Sequence, residues 1–255
     1  MSAAGLVLAI DTATSRAGVA VAKIPAAGVD ATALATLSVN HDRRHVEVLV
    51  PACEHVLGLV GAAWSDVAAI VVGVGPGMFT GLRVGLGTAK ALASALRVGL
   101  VPVSSLEAMA ACVAPVVDGR AVAVALDARR GEVYLQVWAP DGAVVFEAAA
   151  IEPAAMTAAL AAHDRPLVVG DGARRYASWL PAGAVLGPAR FDLPDIESVL
   201  IVGAARLASQ GTTAPVEVRP SYLRDADVRL GFPTLAGERA AAAAVAAAAA
   251  DASPR

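Results

Sequence analysis

The segment from Gly73 to Arg83, GVGPGMFTGLR, constrains the fold of this chain more than any other. Four glycines and a proline occur within its first nine residues, between a strand-like run and a helix-like segment that extends to Leu96. Glycine adopts positive φ angles and proline fixes φ, so this backbone follows a special path. A loop of this kind, placed at a helix N-terminus, either binds an anion or lets two backbones approach closely. The sequence leaves both possibilities open.

Composition excludes several classes of protein. The 255 residues carry a net charge of −3 and a pI near 5.8, which argues against binding of a polyanion by the chain alone. The sequence contains no long run of large apolar residues free of glycine, proline or charge, and its N-terminus lacks a basic region. We therefore expect neither a membrane span nor a signal peptide. Two cysteines, Cys53 and Cys112, lie outside any CxxC motif, which predicts reduced thiols and a cytoplasmic location.

Strand-like and helix-like segments alternate along the chain, which predicts an α/β fold. The pattern LAID-TATSRA-GVAVA near the N-terminus returns as VALD-ARR-GEVYLQV from residue 124, each time as strand, aspartate, polar turn, glycine and strand. This similarity indicates an internal duplication, with a chance likeness of two β-hairpins as the alternative. We expect an N-terminal lobe over residues 1–116, a C-terminal lobe over 117–236, and an alanine-rich tail over 237–255 that is disordered or a frayed helix.

The helix after the glycine loop carries a stripe of small residues: Gly81, Gly85, Ala89 and Ala93. Glycine inside a helix costs roughly 1 kcal/mol relative to alanine, so the stripe requires a compensating contact. It packs either in the chain's own core or against a helix of a partner. In the second case, neighbouring side chains would select the partner. These are Arg83 and Lys90 on a basic edge of the same helix, and Glu47, Val50 and Glu54 on the preceding helix.

Two aspartates, Asp11 and Asp127, end strands at the start of polar turns. In a two-lobed fold they would face each other across a cleft, where such pairs coordinate a nucleotide-bound metal. The nucleotide-facing set would then be Asp11, Thr12, Gly75, Gly77 and Asp127. The sequence favours the alternative in which each aspartate caps its own turn, because the TATS turn lacks a glycine that would let the backbone wrap a phosphate.

No other pattern points to catalysis or to a cofactor. His41 and His45 are four residues apart, but they lie in a polar loop and no third metal ligand is nearby. The chain has no GxSxG motif, no Walker lysine and no Ser/His/Asp arrangement. We therefore expect no metal, no cofactor and no catalytic residue.

Six segments in the same order resemble the TsaB (YeaZ) family and cover most of residues 5–225. They are LAIDTATSRAGVAVA, RRHVEVLVPACEHVL, GVGPGMFTGLRVGLGTAKALA, VPVSSLEAMA, LDARRGEVY and RPSYLR. The GPGxFTGLR, DAR…GEVY and YLR signatures are specific in combination. The resemblance implies a two-lobed actin/sugar-kinase/Hsp70-like (ASKHA) fold with duplicated βββαβα-type lobes.

The resemblance also implies a function. TsaB proteins are partner subunits of TsaD, which forms N6-threonylcarbamoyladenosine at position 37 of tRNAs that read ANN codons, and a TsaE-like ATPase joins the complex. The metal-binding HxxxH of TsaD corresponds here to Ser105 and Met109, neither of which is histidine. The resemblance therefore implies a non-catalytic subunit that stabilises and activates a TsaD-like subunit through its first-lobe helices, and that meets tRNA only through the complex. The same surface can form a homodimer in this family.

Two alternatives from other classes stay open. One is an ATP-dependent phosphotransferase or ATPase of the same superfold that uses Asp11 and Asp127. The other is a metallopeptidase, which the absence of a ligand triad disfavours.

Overall fold

The computed structural model describes residues 5–24, 31–40 and 45–224. The predicted alanine-rich tail and His41 lie outside the described residues, as does the side chain of His45. Within the described ranges, no helix is both long enough and apolar enough to cross a membrane.

The first half of the chain forms five strands and three helices. In chain order these are β1 (Leu6–Asp11), β2 (Arg16–Lys23), β3 (Ala33–Asn40), α1 (His45–Leu59), β4 (Val67–Gly75), α2 (Phe79–Leu96), β5 (Gly99–Ser104) and α3 (Ser105–Val113). All six residues of β1 are buried, as expected for a central strand covered on both faces. Helix α1 runs through Pro51 and does not begin there.

The second half repeats this arrangement, with α4 and α5 shorter than α1 and α2 and with α6 longer than α3. Its elements are β6 (Val122–Arg129), β7 (Glu132–Trp138), β8 (Val144–Ile151), α4 (Ala155–Leu160), β9 (Leu167–Val169), α5 (Asp171–Arg175), β10 (Val185–Leu186) and α6 (Ile196–Gln210). Helix α5 ends at Arg175, and Tyr176 follows it directly.

The two sheets have the same topology. The first sheet has the order β3-β2-β1-β4-β5, and the second has the order β8-β7-β6-β9-β10 when written in the same direction. In each sheet the first strand pairs antiparallel with the second and parallel with the fourth. The third strand is antiparallel to the second, and the fifth is parallel to the fourth. The shared order confirms the internal duplication and the ASKHA fold class, and rules out a chance likeness of two hairpins.

The helices that connect the lobes cross from one sheet to the other. Helix α3 follows the first sheet in the chain, yet its apolar side chains join the core of the second sheet, where Leu106 and Met109 cluster with Val124. Helix α6 follows the second sheet, yet Val199 and Leu200 join the core of the first sheet. A boundary at residue 116 therefore separates the two sheets but not the helices that cover them.

Candidate functional site

The glycine loop lies directly against the turn that follows β1. Four glycines at intervals of four residues face Asp11, Thr12 and Ala13: Gly73, Gly77, Gly81 and Gly85. A Cβ atom on each would lie 2.0 to 2.2 Å from an oxygen atom of that turn. Such distances are far shorter than any real contact, so only glycine fits at these positions.

Hydrogen bonds join the loop and the turn at two points. The amide of Met78 donates to the carbonyl oxygen of Ala13 at 2.7 Å, and the Thr12 hydroxyl donates to the carbonyl oxygen of Gly81 at 2.8 Å. The loop therefore serves a close approach of two backbone segments. This settles the question that the sequence left open, because the inner side of the loop is occupied by the chain itself.

The small-residue stripe of α2 packs inside the protein. Gly81 and Gly85 contact Thr12, while Ala89 and Ala93 are fully buried in the apolar core beneath the first sheet. The prediction that these four residues dock a partner helix is wrong. The contact that compensates for the helical glycines is made to the chain's own first turn.

The outer face of α1 and α2 has a different set of side chains. Glu47, Val50, Glu54 and Arg83 are exposed, and Lys90 is half-buried. The sequence prediction overlooked Gly87, which is also exposed: a Cβ atom there would have no heavy atom within 4 Å. Its spacing of four residues from Arg83 places it on the same face of the helix and was the signal available in the sequence. We call these six residues the outer α1–α2 face.

An exposed aromatic pair lies at the start of α2. The rings of Phe79 and Tyr222 are 5.5 Å apart, and the Arg83 guanidinium lies 5.1 Å from the centre of the Phe79 ring. Tyr222 belongs to the RPSYLR segment, which is attached to β4 through a hydrogen bond from the Ser221 amide to the Val74 carbonyl oxygen at 2.7 Å.

The two strand-ending aspartates cap their own turns. Asp11 Oδ1 accepts from the Ala13 amide at 3.2 Å, and Asp127 Oδ1 accepts from the Arg129 amide at 2.9 Å. Asp11 is buried, and desolvation raises its pKa to about 6. The Asp127 backbone amide donates to Asp171 Oδ1 at 2.8 Å, and burial raises the pKa of Asp171. The capping alternative is confirmed for both turns.

The cleft between the lobes is nearly closed. It holds a cavity of about 30 Å³, lined by Thr14, Ser15 and Gly77 on one side and by Asp127, Tyr134 and Asp171 on the other. This volume suits one or two water molecules. Two of the five predicted nucleotide-facing residues, Gly77 and Asp127, line the cavity.

The other three predicted nucleotide-facing residues, Asp11, Thr12 and Gly75, are buried within the fold and do not line the cavity. The structure therefore does not bring these three residues to the cavity, because the two backbone segments that carry them pack directly on each other. A Cβ atom on Gly75, for example, would meet the Leu82 side chain at 2.9 Å.

The described residues offer no metal centre. No group of three or more histidine, cysteine, aspartate or glutamate side chains among them could hold an ion. Ser105 and Met109 are both buried at the start of α3. The Ser105 hydroxyl makes no hydrogen bond to the described residues, and Met109 packs in the core of the second sheet.

Comparisons with known proteins agree with this geometry. The family model for TsaD, tRNA N6-adenosine threonylcarbamoyltransferase, matches residues 38–164. The tRNA threonylcarbamoyladenosine biosynthesis protein TsaB of Escherichia coli (strain K12) is 30% identical over 230 residues, which cover 86% of this chain and 94% of that protein. The protein of the same name from Bacillus subtilis (strain 168) is 37% identical over 132 residues, 50% of this chain and 52% of that one. The structure of YeaZ from Pseudomonas aeruginosa superposes with a TM-score of 0.73 at 29% identity, covering 86% of this chain and all of that chain.

The two matching sheets and the crossing helices define a duplicated, two-lobed protein of the ASKHA superfold. Within that superfold, the chain belongs to the TsaB (YeaZ) family. The resemblance that the sequence motifs indicated is thereby confirmed.

Proposed function

We propose that this chain acts in the formation of N6-threonylcarbamoyladenosine in tRNA as a subunit without catalytic activity of its own. It binds, stabilises and activates a TsaD-like catalytic subunit, and a TsaE-like ATPase joins the assembled complex. The relative from Escherichia coli is named for tRNA threonylcarbamoyladenosine biosynthesis, which supports this pathway.

Gly87 is the observation that carries the proposed mode of partner binding. A glycine inside a helix costs roughly 1 kcal/mol relative to alanine, and at Gly81 and Gly85 of α2 this cost is explained by close contact with Thr12. Gly87 has no internal contact that would explain it. A helix of another subunit that approaches closely at this point would explain it.

Charge on the outer α1–α2 face supports the same interpretation. Glu47 and Glu54 lie on α1, whereas Arg83 and Lys90 lie on α2, so the face carries an acidic side and a basic side. Such a division favours one orientation of a partner with the opposite arrangement. Burial of Ser105 and Met109 at the position of the TsaD metal ligands supports the absence of transfer chemistry.

The test is binding to the organism's TsaD-like protein, measured by co-purification and by calorimetry. Gly87→Leu should lower the affinity at least about tenfold, because an interface side chain of that size prevents close packing. Ala205→Leu is the matched control, since Ala205 is exposed on α6 and the substitution is similar in size. Both variants should melt within a few degrees of the unaltered protein. Gly85→Leu would not serve, because it would disrupt the contact with Thr12.

A tRNA modification assay completes the test. The TsaD-like protein should modify an ANN-reading tRNA efficiently only when this chain is added, and Gly87→Leu should reduce that stimulation. Modification by this chain alone would refute the non-catalytic role. Unchanged affinity of Gly87→Leu would refute the outer α1–α2 face as the interface.

A further inference from the structure

Five arginines in the second half of the chain come from three separate segments that carboxylates and backbone hydrogen bonds connect. Arg129 and Arg130 are in the turn between β6 and β7, Arg174 and Arg175 end α5, and Arg190 precedes α6. We call them the arginine layer.

Carboxylates connect these three parts of the chain. Arg129 and Arg175 both reach Asp127 Oδ2, at 3.5 and 3.0 Å. Arg174 forms a two-pronged ion pair with Asp192 at 2.7 and 2.8 Å. The Asp171 amide donates to the carbonyl oxygen of Asp192 at 2.9 Å, and Arg190 is two residues before Asp192.

The carboxylates of these ion pairs are more buried than the arginines that contact them. The Asp127 side chain is 4% exposed and that of Asp192 is 21% exposed, whereas the side chains of Arg129 and Arg175 are 62% and 57% exposed. Two guanidinium groups therefore share one buried carboxylate, which leaves positive charge on the solvent side. Glu132 and Asp195, both half-buried, are further acidic residues of this region.

The guanidinium groups of two of the arginines lie over aromatic rings. The Arg175 guanidinium lies 5.5 Å from the centre of the Tyr176 ring, and that of Arg190 lies 4.6 Å from the centre of the Phe191 ring. Contacts of this kind restrict the guanidinium groups, so less entropy is lost when they bind a further ligand. Arginine is also the side chain best suited to grip phosphate oxygens in pairs.

We propose that the arginine layer contacts the phosphate backbone of tRNA. Exposed arginines held by ion pairs and rings, with the exposed Trp179 in the same part of the chain, are the chemistry that binds a polyanion with accessible bases. The inference rests on the proposed function for the identity of the RNA. A net charge of −3 makes the contact weak in the isolated chain, so it adds to the binding by the assembled complex.

The test is the affinity of the isolated chain for a transcript of an ANN-reading tRNA, measured by fluorescence anisotropy between about 50 and about 200 mM salt. The variant combines Arg130→Glu with Arg190→Glu, which leaves in place the ion pairs of Arg129 and Arg175 with Asp127. The control combines Arg97→Glu with Arg165→Glu, which makes the same change in net charge. Arg97, Arg165 and Arg130 are all exposed, with φ of 57, 44 and 55°.

The arginine-layer variant should lose at least about tenfold in affinity at low salt, and the slope of log affinity against log salt should fall by about 1.5, as expected for two lost phosphate contacts. The control should change the affinity by less than about threefold, because it alters only the long-range field. Equal losses in the two variants would overturn the proposal, as would the absence of tRNA binding by the unaltered chain at low salt.

Binding to the TsaD-like protein is measured with the same variants. Retained tRNA affinity together with lost partner affinity would make the arginine layer a protein contact and would overturn the proposal. Failure of the proposed function has a different signature: the unaltered chain would not bind the TsaD-like protein, whereas the tRNA measurement, which needs no partner, would stand independently.

Discussion

Gly85 and Gly87 lie two residues apart on α2 and face opposite environments. A Cβ atom on Gly85 would lie 2.2 Å from Thr12 Oγ1, while one on Gly87 would meet nothing within 4 Å. The Thr12 hydroxyl cannot move away freely, because it is buried and donates to the Gly81 carbonyl oxygen. Whether a helical glycine serves internal packing or lies on the surface therefore follows from the atoms next to its Cα, which the sequence does not show.

Substitution by alanine should change the free energy of unfolding in opposite directions at Gly85 and Gly87. We expect Gly85→Ala to destabilise the protein by about 1–3 kcal/mol, through the clash with Thr12. Gly87→Ala should stabilise it by roughly 0.5–1 kcal/mol, since alanine restricts the unfolded chain and fits the helix. Urea unfolding of both variants measures the difference. An unchanged midpoint for Gly85→Ala would contradict the packing of α2 on the first turn.

The buried Asp11 carboxyl should make stability depend on pH. Burial raises its pKa from 3.8 to about 6, so the folded protein holds this proton more tightly than the unfolded chain does. This contribution to stability is complete below about pH 4 and is lost as the pH rises to about 6. Asp11→Asn removes the titration. The free energy of unfolding of Asp11→Asn relative to the unaltered protein should therefore increase by about 2 kcal/mol between pH 4 and 7.

Denaturant unfolding at several pH values measures this difference. Asp66→Asn is a suitable control, because Asp66 is exposed in a short turn of the first lobe. Parallel pH profiles for Asp11→Asn and the unaltered protein would show that Asp11 does not titrate in this range.

At the scale of secondary-structure elements, short sequence signals indicate where helices and strands begin and end, because neighbouring residues determine those boundaries. Helix α3 begins at a local sequence signal, the capping box of Ser104 and Glu107. The Leu106 amide donates to Ser104 Oγ, and the Ser104 amide donates to Glu107 Oε2. Strands β7 and β9 likewise coincide with apolar runs between turn residues, a pattern typical of strands.

Contacts between distant segments were the part that the sequence could not predict. The small stripe of α2 has the same spacing whether it meets a foreign helix or Thr12, which precedes Gly81 by sixty-nine residues. Likewise, nothing in α3 or α6 indicates which sheet its apolar side chains join. The arginine layer was missed for the same reason, since its members come from three distant parts of the chain.

At the scale of the whole molecule, the crossing helices hold the two lobes together. Arg206 of α6 reaches Glu107 of α3 at 3.0 Å and also donates to the carbonyl oxygen of Pro102. The segment after α6 then returns to the first sheet, where Leu100 and Thr213 exchange hydrogen bonds at 2.7 and 2.9 Å. These contacts fix α6 and the segment after it to β5 and α3.

A closed cleft predicts that the isolated chain does not bind nucleotide. Its cavity of about 30 Å³ is about a tenth of the smallest usual ligand pocket. A phosphotransferase would need the Asp11 carboxylate. Here that carboxylate is buried and accepts a hydrogen bond from the Ala13 amide. We therefore expect no heat of binding when Mg-ATP is titrated into the unaltered chain.

Asp11→Ala, shown by circular dichroism to be folded, should give the same flat titration. Micromolar binding by the unaltered chain that is lost in Asp11→Ala would instead favour the phosphotransferase alternative, since it would require the lobes to open and expose that carboxylate. Binding that persists in Asp11→Ala would point to the Asp127 side of the cleft. Only the flat titration in both proteins agrees with a glycine loop that packs directly on the turn after β1 and with a cavity of about 30 Å³ between the lobes.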